Sequence, residues 1–287
     1  MHSSFPTILI TGVSSGVGLA TARAFLSRGY HVFGSVRNPA DARRLQAELG
    51  AACTPLLFDV TDAAAIARAV VAVEQHLEGR PLRGLINNAG VAFGGPLQHQ
   101  PIDVVRQHFE VNVLGLVQVT QAFLPLLGAR PDFRGQPGRI LNIGSVSGQV
   151  AAPFMGAYVG TKFALEGLTA SWRRELQLFG VSMVLIGLGV TQTPIWDKGI
   201  DLTAYRDTPY HRPAERFVRF INKTRTEALT PEYVAGRLVS ILETPRPQVR
   251  YTIVPNWLRT AFIPRLLPAA VLDKLMGRGI GLVPPAR

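Results

Sequence analysis

Short runs of apolar residues alternate along the chain with longer segments whose apolar residues recur at helical spacing. This alternation is typical of parallel strands that are joined by helices. Because apolar residues are nearly continuous within the short runs, we expect strands that are buried on both faces of one sheet. The predicted strands are Thr7–Ile10, His31–Ser35, Ala52–Asp59, Gly84–Asn87, Gly138–Ile143, Ser182–Gly187 and Arg250–Val254.

Length and composition agree with this pattern. A chain of 287 residues suits one large α/β domain, and 47% hydrophobic residues are enough to cover a sheet on both faces. We therefore predict a doubly wound parallel sheet of about seven strands with helices on both faces. We place the main domain at residues 1–254 and a C-terminal extension at residues 255–287.

A glycine-rich segment, Thr11–Gly18, follows the first predicted strand. After it, Leu19–Arg28 has the apolar spacing of a helix and stops at Gly29, which can cap a helix C-terminus. In such a strand, turn and helix, glycines let the backbone approach a pyrophosphate, and the helix N-terminus offers free N–H groups. This segment is predicted to hold the phosphates of a nucleotide.

Tyr158 and Lys162 are four residues apart and would share one face of a helix. A neighbouring ammonium favours the phenolate. It would therefore lower the pKa of the phenol, which is about 10 when unperturbed, toward the range in which a general acid or base works at neutral pH. The same spacing also occurs by chance on solvated helices, so it acquires meaning only together with other motifs.

In combination, these motifs resemble the short-chain dehydrogenase/reductase family in its single-domain branch. Thr11–Gly18 fits the family pattern Thr-Gly-x-x-x-Gly-x-Gly, and Asn87–Gly90 matches its Asn-Asn-Ala-Gly motif. The resemblance runs from about residue 7 to residue 193 and implies a Rossmann-like fold that binds a nicotinamide cofactor. One departure is Leu188, where the family often has proline before Gly189, and it predicts a less rigid loop beside the nicotinamide.

The resemblance also implies catalytic roles. Tyr158 would exchange a proton with the substrate oxygen while a hydride moves between the nicotinamide and a carbonyl or alcohol carbon. Lys162 would lower the pKa of Tyr158 and bind the nicotinamide ribose. Ser145 would hold the substrate oxygen, and Asn112, on another long helix, would hold a water that links Lys162 to solvent.

The implied cofactor contacts are spread over the carboxyl ends of several strands. They are Gly12, Ser14, Ser15, Gly16, Val17, Gly18, Arg37, Asn38, Asp59, Val60, Asn88, Ala89, Gly90, Tyr158, Lys162, Gly189, Thr191 and Thr193. An acidic residue at the end of the second strand would bind the ribose 2′-hydroxyl of NAD and repel a 2′-phosphate. Val36 stands at that position and is followed by Arg37, which suits a phosphate. NADP(H) is therefore favoured over NAD(H).

The predicted substrate wall is mostly apolar. It comprises Phe93, Ser147, Val150, Phe154, Met155, Ile195 and Trp196, and the segment at about residues 194–229 would cover the substrate. These side chains favour a lipophilic ketone, aldehyde or alcohol, and the region is loosely similar to family members that act on steroids and retinoids. Cations of the covering segment could bind an anionic part of the substrate, although a solvated helix face is the commoner reason for such residues.

The formal net charge is +11, but the charge is scattered and fits no nucleic-acid recognition motif, so we expect no nucleic-acid partner. Pro245–Arg287 carries seven Lys and Arg residues against Asp273 alone, interleaved with large apolar residues. Such a pattern can lie on an anionic membrane surface. It can equally pack on the domain or on a second subunit while the charged tips reach water, and we favour this second interpretation.

Other features point to the cytoplasm. Met1–Pro6 is short and polar, unlike a secretory leader, and we expect no apolar stretch that could span a bilayer as a helix. Cys53 is the only cysteine, which excludes an intrachain disulfide. The histidines lack metal-ligand spacing, and no metal site is predicted.

Two further expectations follow from the family resemblance. Relatives are usually homodimers or homotetramers built on the helices around Asn112 and Tyr158. An alternative to an enzyme is a regulatory protein that senses NADP(H) on the same fold without turnover. Such proteins tend to lose the tyrosine or the lysine, and because this chain keeps both, the enzyme is favoured.

Overall fold

The computed structural model describes residues 5–196 and 199–284. Seven strands form one sheet in the order β3-β2-β1-β4-β5-β6-β7, and every neighbouring pair is parallel. This confirms the predicted doubly wound α/β fold. The strands are β1 Thr7–Ile10, β2 His31–Val36, β3 Cys53–Leu57, β4 Gly84–Asn87, β5 Arg139–Ser145, β6 Ser182–Leu188 and β7 Arg250–Ile253.

The helices lie on both faces of the sheet. They are α1 Gly16–Leu26, α2 Pro39–Leu49, α3 Ala63–Leu77, α4 Ile102–Phe109, α5 Gly115–Phe123, α6 Gly156–Glu175, α7 His211–Thr226, α8 Pro231–Glu243, α9 Ile263–Leu266 and α10 Ala269–Ile280. π-helical turns occur at Glu110–Leu114 and Leu258–Phe262, and short 3-10 turns at Leu124–Leu127, Val146–Gly148, Leu176–Phe179, Pro194–Trp196 and Thr203–Tyr205.

Two strand ends differ from the prediction by two residues, and five others differ by one. β3 was expected to reach Asp59 but ends at Leu57, because the Asp59 carboxylate accepts hydrogen bonds from the backbone N–H of Thr61 (2.9 Å) and from its hydroxyl (2.7 Å). These bonds turn the chain away from the sheet. β5 instead extends to Ser145, which pairs with Leu188 of β6.

The core consists of two apolar layers, one on each face of the sheet. Because successive strand residues point to opposite faces, Ile8 and Ile10 of β1 pack in one layer with Leu238 of α8, whereas Leu9 packs in the other with Val119 of α5. Both layers are buried over most of the strand length, which holds the carboxyl ends of the strands in fixed positions. The site described below lies at these ends.

A ladder of buried polar side chains crosses the middle of the sheet. Asn87 Nδ2 donates to Thr120 Oγ1 (2.8 Å) and to Asn142 Oδ1 (2.9 Å). Asn142 Nδ2 in turn donates to Thr169 Oγ1 (3.0 Å). The ladder therefore ties α5 and α6 to the central strands β4 and β5.

The helical stretch Ile102–Leu127 is long and apolar enough to cross a membrane by length and composition. The expectation that no stretch would reach this limit is therefore wrong. Half of its most apolar part is buried in the fold, and its residues pack against α3 and α6. These are the surroundings of a core helix.

Candidate active site

The glycine-rich loop between β1 and α1 leaves no space for side chains at two positions. Gly12 has a φ of +72°, and a Cβ added there would lie 3.1 Å from the Cα of Ala89. A Cβ on Gly18 would lie 2.1 Å from the carbonyl oxygen of Gly12. The first turn of α1 therefore packs directly on the loop backbone.

The N-terminus of α1 is open toward the cavity. Its N-cap residue, Ser15, makes no side-chain capping bond, so the first backbone N–H groups of the helix are left for another acceptor. A helix N-terminus with free N–H groups attracts phosphate. The geometry of the loop thus fits the pyrophosphate of a dinucleotide, and its contact with a cofactor stays a prediction.

The Asn-Asn-Ala-Gly motif clamps this loop from β4. Asn88 Nδ2 donates to the carbonyl oxygens of Thr11 (2.9 Å) and Gly12 (3.0 Å). The Thr11 hydroxyl accepts the backbone N–H groups of Asn88 and Ala89, both at 3.0 Å. The two sequence motifs are therefore one hydrogen-bonded unit, which explains why they occur together.

A cavity of about 390 Å³ opens at the carboxyl ends of the strands. Every cofactor-contact residue predicted from the sequence lines it, with the exception of Asn38. Asn38 instead caps α2: its Oδ1 accepts the backbone N–H of Asp41 (2.8 Å), and its Nδ2 donates to the Asp41 carboxylate (2.8 Å). Arg37, beside it, is exposed and does line the cavity.

Arg44 is a residue near the cofactor site that sequence reasoning missed. Its Nη2 donates to the carbonyl oxygen of Ser14 in the glycine-rich loop (2.7 Å). The guanidinium also pairs with Asp41 (3.1 Å) and Glu48 (3.3 Å) on its own helix. The spacing of these charges along α2 indicates only a surface ion-pair series, so the contact with the loop had no signal in the sequence.

Tyr158 and Lys162 lie on the first turns of α6 and are both buried on the cavity wall. Lys162 Nζ donates to the carbonyl oxygen of Ile143 (2.9 Å) and lies 5.5 Å from the centroid of the Tyr158 ring. Burial lowers the pKa of Lys162 to about 8. The predicted pair is therefore present, with the ammonium held on the β5 backbone.

The net pKa shift of Tyr158 is opposite in direction to the lowering that was expected from Lys162. Burial raises the pKa of Tyr158, and a hydrogen bond with Ser145 acts in the opposite direction without overcoming it. Desolvation disfavours the charged phenolate, and helix spacing alone does not reveal that burial. Tyr158 is therefore held in its protonated form.

Ser145 ends β5 with its hydroxyl already engaged. Its Oγ donates to the carbonyl oxygen of Leu188 (3.2 Å) and accepts the backbone N–H of Ser147 (3.1 Å). Leu188 is the residue that departs from the family pattern, so a substrate oxygen would compete with its carbonyl for the Ser145 proton. Ser147 meets Ser145 through its backbone.

Asn112 lies in the π-helical turn between α4 and α5. Its Nδ2 donates to the carbonyl oxygen of Val91 (2.9 Å) and to Thr161 Oγ1 (3.1 Å), and its Oδ1 accepts the Val91 N–H (2.8 Å). Both amide hydrogens are therefore used in joining the loop after β4 to α6. The predicted water would therefore have to bind through an oxygen of Asn112. The π-helical turn itself is a feature that is frequent at functional sites.

The cavity extends to Phe93 and Ile195 of the predicted substrate wall, but the described lining does not include Ser147, Val150, Phe154 or Met155. Ser147 and Val150 are half-buried outside it. The side chain of Trp196 lies outside the described part of the chain, as do residues 197–198. For these residues the contact with substrate stays a prediction.

Phe154 is turned away from the cavity by its backbone. Its φ of +64° is rare for a bulky residue, and its carbonyl oxygen accepts the N–H of Gly95 (2.7 Å). The ring packs edge-on against Tyr210 (centroids 6.3 Å apart) and Phe217 (5.7 Å), in an apolar cluster that also contains Met155. Phe154 thus packs against the segment that covers the substrate side of the cavity.

We call residues 194–196 and 199–229 the lid, because they cover the loops that follow β4 and β5. The N–H of Gln192, two residues before the lid, donates to the carbonyl oxygen of Leu229 at its other end (3.0 Å). Tyr205 is buried against Gly95, and Tyr210 donates from its hydroxyl to Gln98 (2.9 Å). The lid is therefore packed against the substrate side of the cavity.

His108 is a second residue that sequence reasoning missed. It is fully buried; its Nε2 accepts the backbone N–H of Phe93 (2.9 Å), and its Nδ1 lies 2.7 Å from the carbonyl oxygen of Val104. These contacts require a neutral ring with the proton on Nδ1. Burial lowers the pKa of His108, which favours this form. The ring also packs edge-on on Phe93 at 5.3 Å and fixes this part of the wall.

The comparisons with known proteins agree on one family. Residues 6–201 match the short chain dehydrogenase family. The chain is 37% identical over 268 residues to the NADPH-dependent 3-dehydrocapnine reductase of Ornithobacterium rhinotracheale, covering 93% of this chain and 94% of that protein. It is 35% identical over 266 residues to human 17-beta-hydroxysteroid dehydrogenase type 1, covering 88% and 78%. Among solved structures, a short-chain dehydrogenase from Streptomyces avermitilis superposes with a TM-score of 0.77 at 25% identity, covering 97% and 96%.

Proposed function

This chain belongs to the short-chain dehydrogenase family and is an NAD(P)-dependent oxidoreductase, and on this premise we propose that it uses NADP(H) to interconvert a lipophilic ketone or aldehyde and the corresponding alcohol. One observation carries the proposal: Tyr158 and Lys162 line the same cavity as the glycine-rich loop and the exposed Arg37. A proton donor and a nucleotide cradle thus face one space.

The residues of the nucleotide side fit a dinucleotide. The free N–H groups at the start of α1 would bind its pyrophosphate, and Arg37 would bind a 2′-phosphate. Lys162 would bind the ribose beside the nicotinamide with a donor that its bond to the Ile143 carbonyl leaves free. When bound, the nicotinamide supplies or accepts the hydride.

Tyr158 would handle the proton. Because burial raises the pKa of the phenol, Tyr158 is protonated at neutral pH and is ready to donate to a carbonyl oxygen. Ser145 would donate a second hydrogen bond to that oxygen, where negative charge develops during reduction. The protonated phenol is the form that reduction of a carbonyl requires, and oxidation of an alcohol requires the phenolate.

The substrate class follows from the wall and is supported by the relatives. Phe93 and Ile195 present apolar side chains to the cavity, and Ala92 beside them is apolar as well. One relative is named for the reduction of 3-dehydrocapnine and another for a hydroxysteroid. We therefore propose a ketone on a lipophilic skeleton.

The exposed surface of the long helices supports a homodimer or homotetramer. Along α4 to α6, Phe109, Leu114, Phe163 and Leu168 are 38% to 51% exposed. Large apolar side chains exposed along neighbouring helices are typical of subunit contacts. Light scattering of the purified chain would test this, and a monomer at all concentrations would contradict it.

The function is tested by following NADPH and NADH oxidation with 3-dehydrocapnine, a 17-ketosteroid and a short aliphatic ketone. We expect turnover with at least one lipophilic ketone, little with the aliphatic ketone, and a higher kcat/KM with NADPH than with NADH. Tight NADPH binding without turnover of any carbonyl would instead favour a sensor on the same fold. A higher kcat/KM with NADH would overturn the cofactor preference.

A further inference from the structure

The C-terminal segment after β7 exposes a large apolar surface. Residues 255–284 form the π-helical turn at Leu258–Phe262, then α9 and α10. Eight large apolar side chains there are 39% to 66% exposed: Trp257, Leu258, Phe262, Ile263, Leu266, Val271, Leu275 and Val283. We call this set the tail surface. The sequence favoured packing of this segment on the domain or on a second subunit. In the single chain, the domain leaves the tail surface exposed.

The tail is nevertheless held in place. Ile280 at the end of α10 is buried in the apolar cluster that contains Ala214 and Phe217 of α7. The Arg216 guanidinium lies over Gly281, so that a Cβ added there would overlap it. The tail is therefore attached to the lid at this end, and its apolar side chains are presented by ordered helices.

Exposed cations are interleaved with the apolar side chains along the tail. Arg259, Arg265, Lys274 and Arg278 are all exposed, and none of them forms an ion pair within the described residues. Asp273 is the single acidic residue of the described part of the tail, residues 255–284.

The neighbouring helix α7 continues this charge. Arg212, Arg216, Arg219 and Lys223 are exposed on it, and Phe220 is 59% exposed among them. Because α10 packs on α7, the lid and the tail present neighbouring surfaces of the same composition.

We propose that the tail surface and the outer face of α7 dock on an anionic lipid bilayer. Apolar side chains enter the boundary between headgroups and acyl chains, while the surrounding Lys and Arg side chains meet anionic headgroups. Trp257 stacks on Phe262 with ring centroids 4.9 Å apart, which places a pair of aromatic rings on the surface. Aromatic rings with this exposure suit the headgroup region.

The charge argues against a second copy as the occupant. A symmetric dimer would place the same surface on itself, so the cations of one tail would face those of the other with only Asp273 to compensate. The exposed apolar side chains of α4 to α6 lie among charges of both signs, including Asp103, Arg106 and Glu110. A second copy fits that face better, and anionic lipid fits the tail.

The position of the lid connects docking on a bilayer with the entry of substrate. Pro194 begins the lid and also lines the cavity, so the element that covers the substrate is continuous with the element that meets the bilayer. A lipophilic substrate could then enter from the lipid phase. This consequence rests on the proposed function, whereas docking itself does not.

The test is flotation of the full chain with vesicles of phosphatidylcholine alone and of equal parts phosphatidylcholine and phosphatidylglycerol. We expect binding at least about tenfold stronger to the anionic vesicles, weakened by added salt because the charges are exposed. The double variants Leu266→Ser/Leu275→Ser and Arg265→Glu/Lys274→Glu should each lose most of this binding. Leu178→Ser, at an 81% exposed leucine outside the tail, is the matched control and should bind normally.

Each outcome decides the proposal. Equal binding to both vesicle types, or double variants that bind like the control, would overturn it. Light scattering is run in parallel, because variants that dissociate a dimer and leave flotation unchanged would identify the tail as a subunit contact. NADPH binding verifies that the variants are folded. An inactive protein that still floats with anionic lipid would contradict the proposed function and leave the docking intact.

Discussion

The nucleotide side of the cavity is built from backbone, and the substrate side is built from side chains. At Gly18 the chain packs so closely that no Cβ fits, at Gly12 a Cβ would be crowded at a positive φ, and Asn88 binds backbone carbonyls of the same loop. On the other side, Phe93 is held by His108, and the neighbouring Gly95 packs against Tyr205 of the lid. Because of this difference, few residue types fit at the glycine positions of the cofactor side. The substrate wall can accept other side chains on the same backbone.

The largest expected effect lies where the two sides meet. Tyr158→Phe keeps the buried ring and removes the proton, so kcat should fall by about 10²–10⁴-fold, the usual contribution of a positioned acid. NADPH affinity, measured by quenching of protein fluorescence, should change little because phenylalanine keeps the ring and the phosphate contacts lie elsewhere. Substantial reductase activity in this variant would remove Tyr158 from its proposed role.

Gly18→Ala should break the nucleotide side. The added methyl group would overlap the Gly12 carbonyl, which lies 2.1 Å from the Cβ position, so we expect a stability loss of about 1–3 kcal/mol together with much weaker NADPH binding. Gly236→Ala is the control: nothing lies within 4 Å of its Cβ position, and alanine stabilises a helix by up to about 1 kcal/mol. Thermal unfolding and NADPH titration of both variants would show whether close packing matters, and similar behaviour of the two would contradict it.

Arg37→Ala should affect one cofactor and spare the other. A lost charge-assisted contact costs about 1.5–3 kcal/mol, so the KM for NADPH should rise by about tenfold or more while the KM for NADH stays the same. Arg43→Ala, at an exposed arginine of α2, is the matched control. An equal rise for both cofactors would mean that Arg37 does not meet a 2′-phosphate.

His108→Leu should disturb only the substrate side. It leaves the Phe93 N–H without its acceptor, which should reduce stability by about 1–3 kcal/mol and raise the KM for the ketone more than it lowers kcat. NADPH affinity should not change. If the KM for the ketone stays constant while stability falls, His108 supports the fold and does not position the wall.

The smallest effect should come from a histidine that lies on neither the nucleotide side nor the substrate side of the cavity. His31, at the start of β2, is stacked on His76 with ring centroids 4.1 Å apart, and burial lowers its pKa to about 4 from 6.5. Because the unfolded chain binds this proton more readily, the contribution of His31 to stability is fully present above a pH of about 6.5 and is lost as the pH falls through about 4. The melting temperature should therefore decline over this range and decline less in His31→Gln. Identical pH profiles would contradict this.

The contrast between the two sides also decides what could be predicted from the sequence. The strands and the glycine-rich loop depend on local rules, the continuity of apolar runs and the space a glycine leaves, and these were predicted correctly. The cap formed by Asn38 had a readable signal, since an Asn-Pro pair followed by Asp41 is typical of a helix start. The family pattern predicts a cofactor contact at Asn38, whereas this local signal correctly predicts the cap.

The remaining features depend on contacts between distant parts of the chain. The direction of the Tyr158 pKa shift comes from burial, which the spacing to Lys162 does not show. The turn at Phe154 comes from a backbone bond to Gly95 and from packing under the lid. Arg44 reaches Ser14 across the loop, and its pattern on α2 indicates only ion pairs.

The polar ladder through Asn87 and Asn142 has a consequence for how the chain finds its fold. In strands that are apolar on both faces, a register shift still buries apolar side chains. A shift of one residue between β4 and β5, however, would separate these amides and place them among apolar side chains. The ladder therefore favours the native register of β4 and β5 over a shifted one. Since it also ties in α5 and α6, a chain in the native register already has Tyr158 and Lys162 at the correct height along the sheet.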